Sequence, residues 1–235
     1  MSDFVTFVSL GPGDAELITL KALKALQQAD IIFCPSTVSP VGNMISRSRD
    51  ILLGLNIDDS VISLFDVPMS KDRSQAILCY KEVAGLIEKY FDKKLKIVVV
   101  AEGDAGFYSS THYISDNLLS KNICTKRISG IPAFIACAAL ANIHIAKQEE
   151  ELHIIPGIIS SDDLKKRIET GNSIVIMKPS QSEKAIKQTI SLIEKTKTHY
   201  FENVGIKEKE FYTQDIQKII NRKFPYFSLL IITKE

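Results

Sequence analysis

The chain has 235 residues, enough to bury the core of one large domain or of two small ones. Its 29 Lys and Arg residues nearly balance its 28 Asp and Glu residues, so a formal net charge of +1 gives no overall basic field that would attract nucleic acid. The longest apolar runs are the length of strands, which excludes a transmembrane helix. Four scattered cysteines without C-x-x-C spacing, and no basic leader, predict a cytoplasmic protein with reduced thiols.

Strand-like and helical patterns alternate in the first half of the chain. The apolar segments predict strands near 4–10, 30–34, 60–64, 96–101 and 123–128. Helical spacing predicts helices near 15–28, 42–54, 71–91 and 111–120. This order is typical of a parallel sheet covered by helices.

The first helix carries the clearest signals. Asp14 is a suitable N-cap, and Glu16 lies in the first turn, where the helix dipole favours an anion. An apolar stripe then follows at helical spacing, formed by Ala22, Leu23, Leu26 and Ala29.

The second half contains shorter strands and a different ending. A helix of small residues is predicted over 133–140, strands near 152–155, 173–177, 198–203 and 226–233, and helices near 161–170 and 181–195. The last strand follows Phe224-Pro225 without a long crossover helix, so antiparallel pairing is expected. We therefore predict an N-terminal α/β domain with a parallel sheet over residues 1–120 and a C-terminal α/β domain with a mixed sheet over 121–235.

The run Gly11-Pro12-Gly13-Asp14 follows the first strand directly. A dinucleotide fingerprint would place a third glycine where Glu16 stands, and the two acidic residues would repel a pyrophosphate at the helix N-terminus. No Gly-Lys-Ser/Thr follows, so a Walker loop is excluded as well. The run suits a ligand without phosphate that approaches the backbone closely, or a tight turn with a helix cap.

Three later strand ends resemble the first in their chemistry. Glu102-Gly103-Asp104 and Phe107-Tyr108 follow a continuous apolar strand, which places a carboxylate and aromatic rings at the sheet edge. Another glycine loop lies within 127–132, and the strand 174–177 ends in Met177-Lys178. The four histidines lack metal-ligand spacing, and no G-x-S-x-G elbow is present. These residue types therefore favour a reaction in which the protein positions two ligands, rather than a hydrolysis.

Taken in order, these segments resemble the tetrapyrrole (corrin/porphyrin) methylases, which use S-adenosylmethionine. The resemblance covers 11–22 with 29–32, then 103–111, 129–134, 151–156, 177–178 and 202–205. Within the family the chain is most similar to the precorrin-2 or cobalt-factor II C20-methyltransferases of cobalamin synthesis. It departs from the family pattern at Ala105 and Ser129, where proline is usual.

The resemblance implies two α/β domains with the active site in the cleft between them, a tetrapyrrole substrate and a homodimer. The net charge, the short apolar runs and the scattered histidines lead us to expect no nucleic acid, membrane or metal partner. It implies that the cofactor S-adenosyl-L-methionine is held by Pro12, Glu102, Gly103, Asp104, Phe107, Ile131, Pro132, Ala133, Met177, Val204 and Gly205. Because a tetrapyrrole carries several carboxylates, cations in strand-to-helix loops are expected to bind it. The candidates are Arg47, Arg49, Lys71, Arg73 and Lys178.

Other functions remain open from the sequence. A second candidate within the family is methylation of uroporphyrinogen III or of a later precorrin. A different class is methylation of ribosomal RNA or of protein, as in diphthamide-type relatives. A third is a cofactor-binding protein without catalytic activity. The residues identify no general base.

Overall fold

The computed structural model describes residues 3–38, 44–68 and 73–234. The chain forms two compact units, Met1–Pro132 and Ala133–Glu235. The segment Thr125–Ile128 pairs with Val5–Ser9 in the sheet of the first unit. The domain boundary expected after residue 120 stays a prediction.

The first unit alternates strands and helices. In chain order these are β1 (Val5–Ser9), α1 (Leu20–Gln27), β2 (Ile31–Val38), β3 (Met44–Ile45), α2 (Arg47–Gly54), β4 (Ile62–Asp66), α3 (Ser74–Asp92), β5 (Ile97–Ala101), α4 (His112–Ser120) and β6 (Thr125–Ile128). Their sheet has the order β3-β2-β5-β1-β6, with β4 also beside β2. All of these pairs are parallel except β2 with the short β3, which confirms the predicted parallel sheet.

Helices cover both faces of this sheet. Because neighbouring side chains of a strand point to opposite faces, Phe7 and Val8 belong to different cores. α3 and α4 pack on the face of Phe7, and α1 and α2 pack on the face of Val8. β5 is buried along its whole length, as a central parallel strand requires.

The first helix begins later than its sequence pattern suggests. Asp14 accepts a hydrogen bond from the Glu16 N–H and caps only a 3₁₀ turn, Ala15–Leu17. The chain is extended at Ile18, and the Thr19 hydroxyl then accepts from the Ala22 N–H to cap α1. The predicted helix 15–28 is therefore two short elements, because Asp14 and Thr19 each cap one of them.

The second unit has a mixed sheet. Its elements are α5 (Ala133–Leu140), β7 (Leu152–Ile155), α6 (Ser161–Glu169), β8 (Ser173–Met177), α7 (Glu183–Ile190), β9 (Thr196–Glu202), β10 (Phe211–Thr213), α8 (Ile216–Asn221) and β11 (Ser228–Lys234). The strand order is β10-β9-β11-β8-β7. β7 and β8 are parallel, and β11 is antiparallel to both of its neighbours, as predicted.

Several boundaries differ from the prediction. The predicted helix 42–54 begins with two residues outside the described ranges, and its described part is the strand β3 followed by α2. The predicted helix 181–195 is a 3₁₀ turn followed by the shorter α7. β10 and α8 were not predicted. None of the helices in the described part of the chain combines the length and apolar character needed to cross a bilayer.

Candidate functional site: two sheet edges

Three loops meet at one edge of the first sheet. β5 and β6 both run parallel to β1, so the carboxyl ends of these neighbouring strands share an edge. The loops 10–14, 102–111 and 129–132 follow those ends, and we call them together the three-loop edge. Ligands of open α/β sheets bind at such carboxyl edges.

The first two of these loops are joined through their backbones. The Gly11 N–H donates to the Gly103 carbonyl at 3.1 Å, and the Gly103 N–H donates to the Gly11 carbonyl at 2.6 Å. Both glycines have positive φ, +78° and +67°, a conformation that strains residues with a Cβ. A Cβ on Gly103 would meet nothing within 4 Å, so its Cα faces open space.

Side chains join the third loop to the other two. The Ser9 hydroxyl donates to the Ile128 carbonyl at 2.6 Å and accepts from the Ala105 N–H at 2.8 Å. The Asp104 carboxylate accepts from the Gly130 N–H at 2.7 Å. A Cβ on Gly130 would lie 2.4 Å from the Ser9 Cβ, so only glycine allows this close approach.

Asp104 therefore holds the loops together. Its other carboxylate oxygen accepts from the Gly106 N–H at 2.8 Å. Each oxygen thus already has a backbone donor, and the side chain supports the loops on which a ligand would rest. A direct contact of Asp104 with cofactor stays a prediction.

Glu102, at the end of β5, meets the start of α2. Arg47 Nε lies 3.6 Å from one carboxylate oxygen of Glu102, and the Ser48 hydroxyl donates to the other at 3.4 Å. The Arg47 guanidinium also donates to the Pro12 carbonyl at 3.4 Å. Burial raises the pKa of the Glu102 carboxyl, while Arg47 and Ser48 oppose that rise. Arg47 therefore links α2 to two loops of the edge.

The remaining predicted cofactor residues of the first unit also lie on these loops. Pro12 is buried, and Ile131 and Pro132 are half-buried. The rings of Phe107 and Tyr108 meet edge to face, with centroids 4.7 Å apart. The predicted cofactor residues Pro12 to Pro132 are therefore brought together on one sheet edge.

The predicted substrate-binding cations have different surroundings. Arg49 donates to both carboxylate oxygens of Asp59 at 2.8 and 2.7 Å, so its guanidinium is already committed to a surface ion pair. Arg73 donates to the Ser110 hydroxyl at 3.3 Å. Lys71 lies outside the described residues.

The second unit has an edge of its own. β8 is parallel to β7, and β8 and β9 are both antiparallel to β11, so the three strands β7, β8 and β9 end on the same side. Met177 ends β8, and Val204 and Gly205 follow β9 at this edge. Lys178 has φ +51° and places its ammonium 5.7 Å from the Tyr226 ring centroid. Ala133 begins α5 in this unit.

A charged network lies at the end of β9, directly before the turn that contains Val204 and Gly205. Glu202, which is 7% exposed, accepts from Arg222 Nε at 2.5 Å and from its Nη2 at 3.0 Å. The Tyr200 hydroxyl donates to Glu202 at 2.7 Å, and burial raises the pKa of that hydroxyl further above its usual value. The sequence gives no local signal for this network because Arg222 arrives from α8, which was not predicted.

The model of the family "Tetrapyrrole (Corrin/Porphyrin) Methylases" matches residues 5–220. The chain belongs to this family. The match contains every predicted cofactor-binding and substrate-binding residue that the structure describes.

Two relatives and one solved structure resemble this chain over most of its length. A precorrin-2 C(20)-methyltransferase from Sinorhizobium sp. is 26% identical over 96% of this chain and 93% of that protein. A probable cobalt-precorrin-2 C(20)-methyltransferase from Methanocaldococcus jannaschii is 32% identical over 73% of this chain and 70% of that protein. The structure of uroporphyrin-III C-methyltransferase from Thermus thermophilus, complexed with S-adenosylhomocysteine, has a TM-score of 0.68 at 14% identity and covers 98% of this chain and 97% of that one. That structure shares the fold of this methylase.

Proposed function

We propose that this methylase transfers a methyl group from S-adenosyl-L-methionine to C20 of precorrin-2 or of cobalt-factor II in cobalamin biosynthesis. The observation that carries the proposal is the nearly end-to-end similarity to a precorrin-2 C(20)-methyltransferase, over 96% of this chain. The second relative, at 32% identity, bears the name of the cobalt-containing substrate.

The three-loop edge fits a cofactor without phosphate. Gly11 and Gly103 bring main chain to the sheet edge without side chains, and the Cα of Gly103 faces open space. Glu102 supplies a partly exposed carboxylate beside these glycines. A carboxylate attracts a cationic or hydroxyl-bearing ligand and would repel a phosphate. These residues would therefore hold the cofactor of the family through backbone groups and Glu102.

The chemistry needs positioning more than acid or base power. S-adenosylmethionine supplies a methyl group already activated on a positively charged sulfur. The protein has to fix donor and acceptor in line, which alone lowers such a barrier by several kcal/mol, on the order of 7. The ties among Ser9, Asp104 and Gly130 fix the loops of the first unit, and Glu202 with Arg222 fixes the turn of the second.

We propose fewer cations for the acceptor than the sequence suggested. We retain Arg73 and Lys178 as candidates for the carboxylates of the acceptor. Arg49 is left out because its charge is paired with the Asp59 carboxylate, and Arg47 is reassigned to holding Glu102 and Pro12. We also propose that the protein is a homodimer in the cytoplasm. Light scattering during gel filtration tests the dimer.

The activity test uses the full chain with deuterated-methyl S-adenosylmethionine. Separate reactions contain precorrin-2, cobalt-sirohydrochlorin or uroporphyrinogen III, and mass spectrometry with NMR locates the label. We expect label at C20 of precorrin-2 or of the cobalt compound. Label on uroporphyrinogen III alone would move the chain to the second candidate within the family. Transfer only to added ribosomal RNA or protein would overturn the proposal.

A further inference from the structure

A cleft of about 480 Å³ opens within the first unit, beside the loop that follows β5. It lies between the start of α3, the start of α4 and β6. The side chains that matter to its chemistry are Arg73, Arg127, Tyr108, Ser110, His112 and Tyr113. Of these, only Arg73 is among the substrate-binding residues predicted from the sequence.

Two guanidinium groups line the cleft, and each is held by a neutral hydroxyl. Arg73 Nη2 donates to the Ser110 hydroxyl at 3.3 Å, and Arg127 Nη2 donates to the Ser115 hydroxyl at 3.1 Å. Within residues 3–38, 44–68 and 73–234, no carboxylate forms an ion pair with either group. Each guanidinium has several N–H donors, so both retain charge and donors for an anion.

The walls of the cleft are aromatic and in part strained. Tyr108 is half exposed and has φ +49°, a left-handed conformation that costs a bulky residue free energy. Tyr113 lies against His112, with ring centroids 4.0 Å apart. His112 Nδ1 lies 3.0 Å from the Ser109 carbonyl and donates to it, which fixes the ring beside the arginines.

We propose that this cleft binds a carboxylate side arm of the tetrapyrrole acceptor, with Arg73 and Arg127 as the donors. The inference rests on the proposed function, because that function supplies an acceptor with acetate and propionate arms. A guanidinium recognises a carboxylate through parallel, charge-assisted N–H bonds. Arg127 thereby joins the substrate-binding residues, and the loop 102–111 takes part in binding the acceptor as well as in supporting the sheet edge.

The test measures binding of uroporphyrin I, which carries an acetate and a propionate on every pyrrole ring, by fluorescence. Arg73→Gln and Arg127→Gln are each expected to weaken its binding about tenfold, the effect of losing one charge-assisted contact. Arg127→Lys is expected to restore part of the affinity because it keeps the charge. The dissociation constant of S-adenosylmethionine is expected to stay unchanged in all three variants.

A matched control separates binding from folding. Lys126→Gln removes a cation from the same strand, where its ammonium lies over the Phe4 ring rather than in the cleft. This control is expected to bind uroporphyrin I as the wild type does.

The outcomes distinguish this inference from the function on which it rests. If the wild type methylates its tetrapyrrole and both arginine variants bind uroporphyrin I normally, the inference is wrong and the proposed function stands. If binding depends on both arginines but no tetrapyrrole is methylated, the proposed function falls and the cleft remains an anion site. Weaker binding of S-adenosylmethionine alone would also overturn the inference.

Discussion

The two sheet edges are held in different ways. At the three-loop edge, glycines bring backbones into contact, and two small side chains, Ser9 and Asp104, bind main-chain groups. At the edge of the second unit, long charged side chains bind the end of β9 and the turn after it: Arg222 donates to Glu202, and the Glu210 carboxylate accepts from the Gly205 N–H. The first edge is therefore sensitive to added volume, and the second to lost charge.

The sharpest test of this comparison is Gly130→Ala. Its Cβ would lie 2.4 Å from the Ser9 Cβ and 2.7 Å from the Gly103 carbonyl oxygen, so the loops must separate. We expect the free energy of unfolding to fall by about 3 kcal/mol or more, and binding of S-adenosylmethionine to be lost. Urea denaturation measures the free energy of unfolding, and titration calorimetry measures the binding of S-adenosylmethionine.

Gly85→Ala in α3 is the matched control, because a Cβ there meets nothing within 4 Å. It should stabilise the protein by up to about 1 kcal/mol, since alanine is the better helix former. Equal effects at the two glycines would contradict the role given to volume at the three-loop edge.

Arg222→Gln tests the importance of charge at the second edge. The change leaves the buried Glu202 without its bidentate partner and removes a guanidinium 3.8 Å from the Phe211 ring centroid. Because Arg222 itself is partly exposed, we expect a loss of about 2 kcal/mol rather than the larger loss seen for fully buried pairs. Urea denaturation gives the value, and Arg167→Gln on α6 should change it by less than about 0.5 kcal/mol.

Ser9→Ala is expected to have a smaller effect. It removes one donor to the Ile128 carbonyl and one acceptor for the Ala105 N–H, but adds no volume. The expected loss is about 1 to 2 kcal/mol, measured by thermal unfolding. A loss as large as that of Gly130→Ala would show that hydrogen bonds, and not close approach, hold this edge.

Arg49→Gln should have the smallest effect of these substitutions on stability and on substrate binding. Its partner Asp59 is exposed, so solvent screens the ion pair, and its loss should leave the free energy of unfolding almost unchanged. The KM for the tetrapyrrole should stay within about twofold of the wild-type value, because the guanidinium already binds Asp59. A clear rise in KM would return Arg49 to the substrate-binding residues.

The sequence predicted the strands and helices well because their apolar spacing is local. It placed the start of α1 wrongly, since Asp14 is a good N-cap by sequence but caps only a 3₁₀ turn, and Thr19 caps the helix itself. The clustering of the three loops followed from the parallel order of the strands. Contacts such as Gly130 with Ser9 depend on strand register, and no local pattern specifies them.

Some functional residues were missed because their roles depend on contacts between segments distant in the sequence. Arg127 lies in a predicted strand, and only the packing of α3 and α4 shows that it lines a cleft. The pairing of Glu202 with Arg222 needs the short helix α8, whose pattern is too brief to predict a helix. Charge on a long side chain indicates a role only when its neighbours are known.

The reciprocal bridge between Gly11 and Gly103 has a consequence for measuring this protein in solution. Each amide hydrogen is held by the other residue's carbonyl, independently of any small molecule. In a hydrogen–deuterium exchange experiment these two amides should exchange slowly whether or not cofactor is added, while neighbouring loop amides respond to it. The exchange rates of these two amides thus provide an internal reference with which the exchange rates of the other loop amides can be compared.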